Sequence, residues 1–126
     1  MIVAAMSTST ESREPYTRRD CSGVLTARLS ALLDAGVVVR EEATLIESAA
    51  SLGSFRALHQ GWVLGGLAVL RDGFEPEAAA EFLHVNTRIP FGGEHVAAAR
   101  AAVIVVGDAL EMLRGLRSTL DYDPGA

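Results

Sequence analysis

The sequence predicts an all-α protein, a single bundle of about five helices with a long C-terminal helix. Three observations carry that prediction. Apolar residues recur at three- and four-residue intervals over most of the 126 positions, the period of a helix face. Glycine and proline fall at intervals that stop and restart such helices. Twenty of the 62 apolar residues are Ala, the strongest helix former. The one run with strand character, Val37-Val38-Val39, has no second run to pair with and is expected to be an extended connection.

Residues 1–20 are rich in Ser and Thr, aperiodic, and carry Pro15; they are expected to form a flexible leader. Met6, followed by Ser-Thr-Ser-Thr, is an alternative start to Met1. The helical domain is expected over 21–120, with a fraying tail at 121–126. A first helix at 22–35 would turn Val24, Leu25, Leu29, Leu32 and Leu33 inward, with Gly36 in a left-handed C-terminal cap. A second, at 40–52, opens on Glu41 and Glu42, acids suited to the positive end of the dipole. It would bury Leu45, Ile46, Ala49 and Leu52 and end at Gly53.

Ser54 can cap a third helix at 55–71, which carries Leu58, Trp62, Leu67, Val69 and Leu70. It also carries Gly61, Gly65 and Gly66, each costing about 1 kcal/mol against Ala in a helix interior. Close approach of another helix, from the same chain or from a partner, is the expected reason. A fourth helix at 75–87 opens on Glu75-Pro76, with proline where its missing donor does no harm. Ala78, Ala79, Phe82 and Leu83 are its expected inward residues. Pro90 and Gly92-Gly93 break the chain before the longest helix, at 94–120. Positions 96, 99, 103, 106, 110, 113, 117 and 120 read Val, Ala, Val, Val, Leu, Leu, Arg, Leu, the alternating three-four spacing of a bundle seam. Ile104 and Val105 lie off that seam, so the middle of this helix is apolar nearly all round.

Composition excludes several classes. High apolar content excludes disorder for most of the chain, and the single Cys21 excludes a disulfide framework. No run of about 18 apolar residues is free of charge, so no spanning helix and no membrane role are expected. Sixteen acids against eleven bases, all of them Arg, give a net charge of −5, which disfavours nucleic-acid partners. The apolar stretch Met1-Ile-Val-Ala-Ala-Met6 is too short for a signal peptide. The expected compartment is the cytoplasm, and Arg without Lys beside abundant Ala and Gly matches a high-GC bacterial genome.

The chemistry-bearing residues are few. Glu81 and His84 make a Glu-x-x-His pair, the half-site of a bundle metal centre, but one pair alone does not complete one, and no cofactor is expected. Cys21 stands near an expected helix start, where the dipole favours a thiolate. There is no Gly-x-Ser-x-Gly, no phosphate-binding loop and no dinucleotide fingerprint. Glu77 to Arg88 has the small and apolar spacing of the first helix and turn of a helix-turn-helix. The expected reading segment, 87–96, contains Pro90 and Gly92-Gly93, which do not sustain a helix. Arg88 and His95 are separated by six residues ahead of the final helix. That spacing resembles the signature of HEPN-domain RNases, small helical dimers that join two such motifs. The resemblance implies that Arg88 would stabilise a scissile phosphate and His95 would act as acid or base. In this chain Ile89-Pro90 follows the Arg, where the family carries a polar residue.

What remains is packing. The expected function is that of a small, non-catalytic regulatory or accessory protein acting through protein–protein contacts, as a homodimer or with a protein partner. The expected interface comprises Gly61, Trp62, Gly65, Val103, Val106 and Leu110. The alternative is a nucleic-acid-related role, as a degenerate helix-turn-helix regulator or as a HEPN-like RNase using Arg88 and His95.

Overall fold

The structure, a computed structural model, describes residues 13–121, with side chains for 23–120. The described residues are all-helical, with four helices where about five were expected: α1 (Arg13–Ala43), α2 (Ala49–Gly73), α3 (Pro76–Asn86) and α4 (His95–Asp121). The missing break is at Gly36. A Cβ built on Gly36 would lie 2.5 Å from both Trp62 and Leu110, so this glycine marks a close helix crossing inside α1 and not its end. Val39, 2 % exposed, packs in the same core. Burial on that face outweighs the weak helix preference of Gly36 and the three valines, and Val37-Val38-Val39 is helical, not extended.

The helix expected at 40–52 is therefore divided. Its first part is the last turn of α1, its end is the first turn of α2, and a turn at 44–48 joins them. Ser48, not Ser54, caps α2: its hydroxyl accepts from the Ser51 amide at 3.1 Å, and the Ser51 hydroxyl accepts from the Ser48 amide at 3.0 Å. This is a capping box built from two serines. Leu45 and Ala49, placed inward by the sequence, are exposed as a result. α1 begins at Arg13, within the segment expected to be a leader, so Cys21 lies about two turns inside it and not at its start. The two candidate starts, Met1 and Met6, and the tail beyond Asp121 lie outside the described residues.

Each helix runs antiparallel to the one before. Arg28 meets Asp72 and Trp62 meets Leu32 between α1 and α2. Gly66 faces Phe82, and His59 faces Asn86, between α2 and α3. α4 closes the ring against α1, with Ser30 opposite Arg117 and Gly36 opposite Leu110. The core is centred on Leu29, Leu70, Phe82, Val106, Leu110 and Leu113, all essentially inaccessible. On α4 the buried positions are Ala98, Ala102, Val105, Val106, Ala109, Leu110 and Leu113. The seam is thus rotated from the expected one: Val96 is exposed and Val103 half-buried. The three buried alanines let α4 approach its neighbours closely. Among the described residues no helix is long and apolar enough to cross a membrane.

Candidate functional site

The six residues expected at an interface do not share a surface. Trp62, Val106 and Leu110 are core residues, 6 %, 0 % and 1 % exposed. The Trp62 indole N–H donates to the Leu32 carbonyl oxygen at 2.9 Å, and its ring meets Phe82 edge-on. Val103 is half-buried beside Arg40, whose Nε donates to the Val103 carbonyl oxygen at 3.3 Å. Gly61 and Gly65 are different: both are exposed, and a Cβ on either would meet nothing within 4 Å.

The three glycines of α2 thereby separate. Gly66 has its reason within the chain, since a Cβ there would lie 2.5 Å from the Phe82 ring. Among the described residues Gly61 and Gly65 have none. Gly23, Gly53 and Gly115 are equally open, so open space alone does not mark a site; the neighbours of Gly61 and Gly65 do. On α2 the outward positions Ala57, Leu58, Gly61, Leu64, Gly65 and Ala68 are all exposed and all uncharged. On adjoining α1 the exposed positions Val24, Ala27, Ala31, Ala35 and Val38 form a second uncharged stripe. Val24, Val38, Leu58 and Leu64 are 65, 52, 42 and 60 % exposed, large apolar surface left in water.

The charges near this face are turned aside. Arg28 and Asp72 neutralise each other across the α1–α2 seam at 3.1 Å. Asp34 lines the cleft toward α4, and Arg56 lies over the Phe91 ring, 5.2 Å from its centroid. Two helices about 9 Å apart, with stripes about 21 Å and about 17 Å long, make a face of roughly 350 Å² before corrugation. That is the size at which the largest apolar patch of a monomer is often functional. The outer surface of α3 and α4 has the opposite character, with Glu75, Glu77, Glu81, His84, Arg100, Asp108, Glu111 and Arg114 all exposed. Leu83, Val96 and Ile104 are exposed there one at a time among charges.

The chemical candidates are placed as follows. Glu81 and His84 are exposed on α3, and among the described residues no group of three or more His, Cys, Asp and Glu is placed to hold a metal ion. Residues 87–94 form turns and loop, so the segment expected to read bases is not a helix. Arg88 pairs with Asp108 of α4 at 2.6 Å. His95 is the first residue of α4 and half-buried, and no hydrogen bond joins it to Arg88. Between α1 and α4 an open cleft of about 460 Å³ is lined by Ser30, Leu33, Asp34, Val37, Arg114, Arg117 and Ser118. Its cations are already engaged: Arg117 donates to the Ser30 hydroxyl at 2.9 Å, and Arg114 pairs with Glu111 at 3.0 Å.

One polar pair escaped the sequence reading. His59 of α2 and Asn86 at the end of α3 are both buried, with His59 Nε2 2.9 Å from Asn86 Oδ1. The Asn86 amide nitrogen donates to the Phe82 carbonyl oxygen at 2.8 Å, which orients Oδ1 as acceptor and puts the imidazole proton on Nε2. The rings of Phe55, Trp62 and Phe91 enclose the imidazole at centroid distances of 5.7, 6.3 and 5.8 Å. Burial pushes its pKa below the ordinary 6.5, against the hydrogen bond with Asn86, which raises it. A buried imidazole held in this way orders the core where α2 meets the end of α3. No local signal joins two residues 27 positions apart. Compared with known protein families, with curated proteins and with solved structures, the chain matches none.

Proposed function

We propose that the chain is a small, non-catalytic regulatory or accessory protein that works by protein–protein contact, and that the outward α1–α2 face is its contact surface. The observation that carries this reading is the pairing of open, helix-interior Gly61 and Gly65 with exposed Leu58, Leu64, Val24 and Val38 on two adjoining stripes of uncharged residues. Two interior glycines cost the isolated chain about 2 kcal/mol together, and nothing among the described residues packs on them. A second helix laid across them would. The reading also moves the expected interface from Trp62, Val106 and Leu110, which the core consumes, to residues that a partner can reach without opening the bundle.

Less supports the nucleic-acid alternative. The reading segment has no helix, Arg88 is held in an ion pair, and the charge is acidic. The test places a photo-crosslinking side chain at Leu64 and, in a second protein, at Glu81 on the charged face. Protein adducts from position 64 and not from position 81 are expected in living cells. Adducts from position 81 alone, or from neither, overturn the reading. Protection of bound RNA or DNA would favour the alternative instead.

A further inference from the structure

We propose that residues 90–93 are an acid-released strap: seated, Phe91 keeps water from the His59 ring, and a second proton on that ring lifts the strap while the four helices stay packed. The geometry makes Phe91 the movable part of the enclosure. Of the three rings around the imidazole, Phe55 and Trp62 stand one turn before and one turn after it on α2, both buried. Phe91, at 5.8 Å, comes from the loop and is half-buried. The strap is anchored at both ends. Ile89 is buried on one side, and on the other the Glu94 carbonyl oxygen accepts from the Ala98 amide at 2.9 Å. Between these anchors the backbone bonds only locally: the Phe91 amide donates to the Ile89 carbonyl oxygen at 2.9 Å, and the Gly93 amide to that of Pro90 at 3.1 Å. Among the described residues no backbone hydrogen bond ties the strap to α2. The Phe91 ring holds it there, tilted against Phe55 and His59, with the Arg56 guanidinium over it. Exposed Gly92 and Gly93 follow directly and let the backbone swing that ring outward.

The chemistry of the enclosure sets the trigger. His59 Nε2 already donates to Asn86, so a second proton goes to Nδ1 and leaves that bond intact. The charged ring then needs water or an anion, and the closed pocket supplies neither. His59 is 4 % exposed, and among the described residues no ion pair reaches it. No neighbouring element compensates. α2 places Arg56 against the same Phe91 ring, a cation that repels a second one. At the end of α3 the facing group is neutral Asn86, while Glu81 and His84 are exposed. In the loop Arg88 is paired with Asp108, and Glu94 is exposed. His95, at the start of α4, is half-buried, and the buried faces of α1 and α4 carry no charge. Burial accordingly holds the His59 pKa below 6.5, and lifting Phe91 returns the ring to water. Opening and protonation favour each other. The open-to-closed ratio should rise by at most about tenfold per pH unit as pH falls below the ordinary 6.5.

The test is fluorine NMR of the full chain carrying para-fluorophenylalanine, with the Phe91 resonance assigned by its loss in Phe91→Leu. Lowering the pH from about 7.5 to about 5 should move that resonance toward its position in the urea-unfolded chain, with an unchanged circular dichroism spectrum. In His59→Gln, which keeps a donor for Asn86 and does not titrate, the Phe91 resonance should not respond. A second variant works from the other side. Phe91→Ala leaves the pocket open, so NMR titration of the imidazole should show the His59 pKa raised from its wild-type value toward 6.5. A Phe91 resonance that holds still until the whole chain unfolds overturns the inference. So does a Phe91 response that survives in His59→Gln, or a His59 titration that is the same in Phe91→Ala and the wild type. If His59→Gln does not fold, the Phe91→Ala titration decides alone.

Discussion

The two outer faces of this bundle are made from helices of similar kind, and they differ in one respect. The α3–α4 face alternates acids and arginines, so each apolar side chain left in water, such as Ile104, sits alone among charges. On the α1–α2 face small and apolar side chains line both outward stripes, and the nearby charges are the Arg28–Asp72 pair across the seam and Asp34 toward α4. Solubility asks only for the first pattern. A helix that needs nothing but water on its outer side has no reason to hold Gly61 and Gly65 where Ala would be more stable. The difference teaches that surface composition and not total hydrophobicity sets the charged face apart from the one proposed to meet a partner.

The contrast breaks first if the apolar residues of α3 are not consumed inside the chain. Phe82 is fully buried on α3 against Gly66 and Trp62 of α2, and Phe82→Ala should cost about 3–5 kcal/mol in urea unfolding. A loss below about 1 kcal/mol would mean that the α3 side is loosely packed and not finished. A sharper test uses neighbouring glycines of α2. Gly66→Ala should destabilise by about 1–3 kcal/mol, because the new methyl meets the Phe82 ring. Gly65→Ala, one residue earlier, should stabilise the monomer by about 1 kcal/mol. Equal signs for the two would erase the distinction between the inner and outer sides of this helix.

A pH effect comes next and belongs to the sealed core between the faces. The folded His59 pKa lies below its unfolded value of 6.5, so the buried neutral ring contributes stability that is complete above 6.5. That stability is lost as pH falls from 6.5 toward the folded value. Urea midpoints measured across this window should drop with acid in the wild type and flatten in His59→Gln, which keeps a donor for Asn86 and does not titrate. Superimposable pH profiles for the two proteins would remove His59 from the account. The smallest effect is expected on the charged face itself. The Arg88–Asp108 pair is about half exposed, 47 % and 54 %, so Arg88→Ala should cost less than about 1 kcal/mol. A larger loss, or the loss of an RNA-cleaving activity, would mean that the pair does more than dress a surface.

Much of the fold was legible in the sequence. The helical class, the starts at Pro76 and near His95, and the core roles of Leu29, Leu70 and Phe82 follow from spacing and punctuation, whereas Trp62, expected at an interface, is a core residue. The division of the first two helices was not legible, because Gly36 reads as a stop in isolation. Only the Trp62 ring and Leu110, 26 and 74 residues on, reveal it as a crossing point. The register of α4 was missed for a related reason. Counting large side chains pointed to Val96 and Val103, whereas Ala98, Ala102 and Ala109 form much of the buried seam. The site shows the same bias. Large apolar residues attract attention as an interface, yet they are the ones a chain uses on itself. The face proposed for contact is mostly Ala and Gly, which sequence periodicity weighs least.

The closing of the ring by α1 and α4 carries a consequence for how the chain acquires its structure. α2 meets α1 and α3 meets α2 through short turns, so these hairpins need little loop closure and can form on the fast timescale of local contacts. The α1–α4 seam is different, since Ser30 and Arg117 stand 87 residues apart. Its closure costs more chain entropy, though the cost grows only with the logarithm of length. Folding should therefore run as a zipper of neighbours with one late, non-local step. Truncating the side chain of Leu113, buried on α4, should then speed unfolding far more than it slows folding.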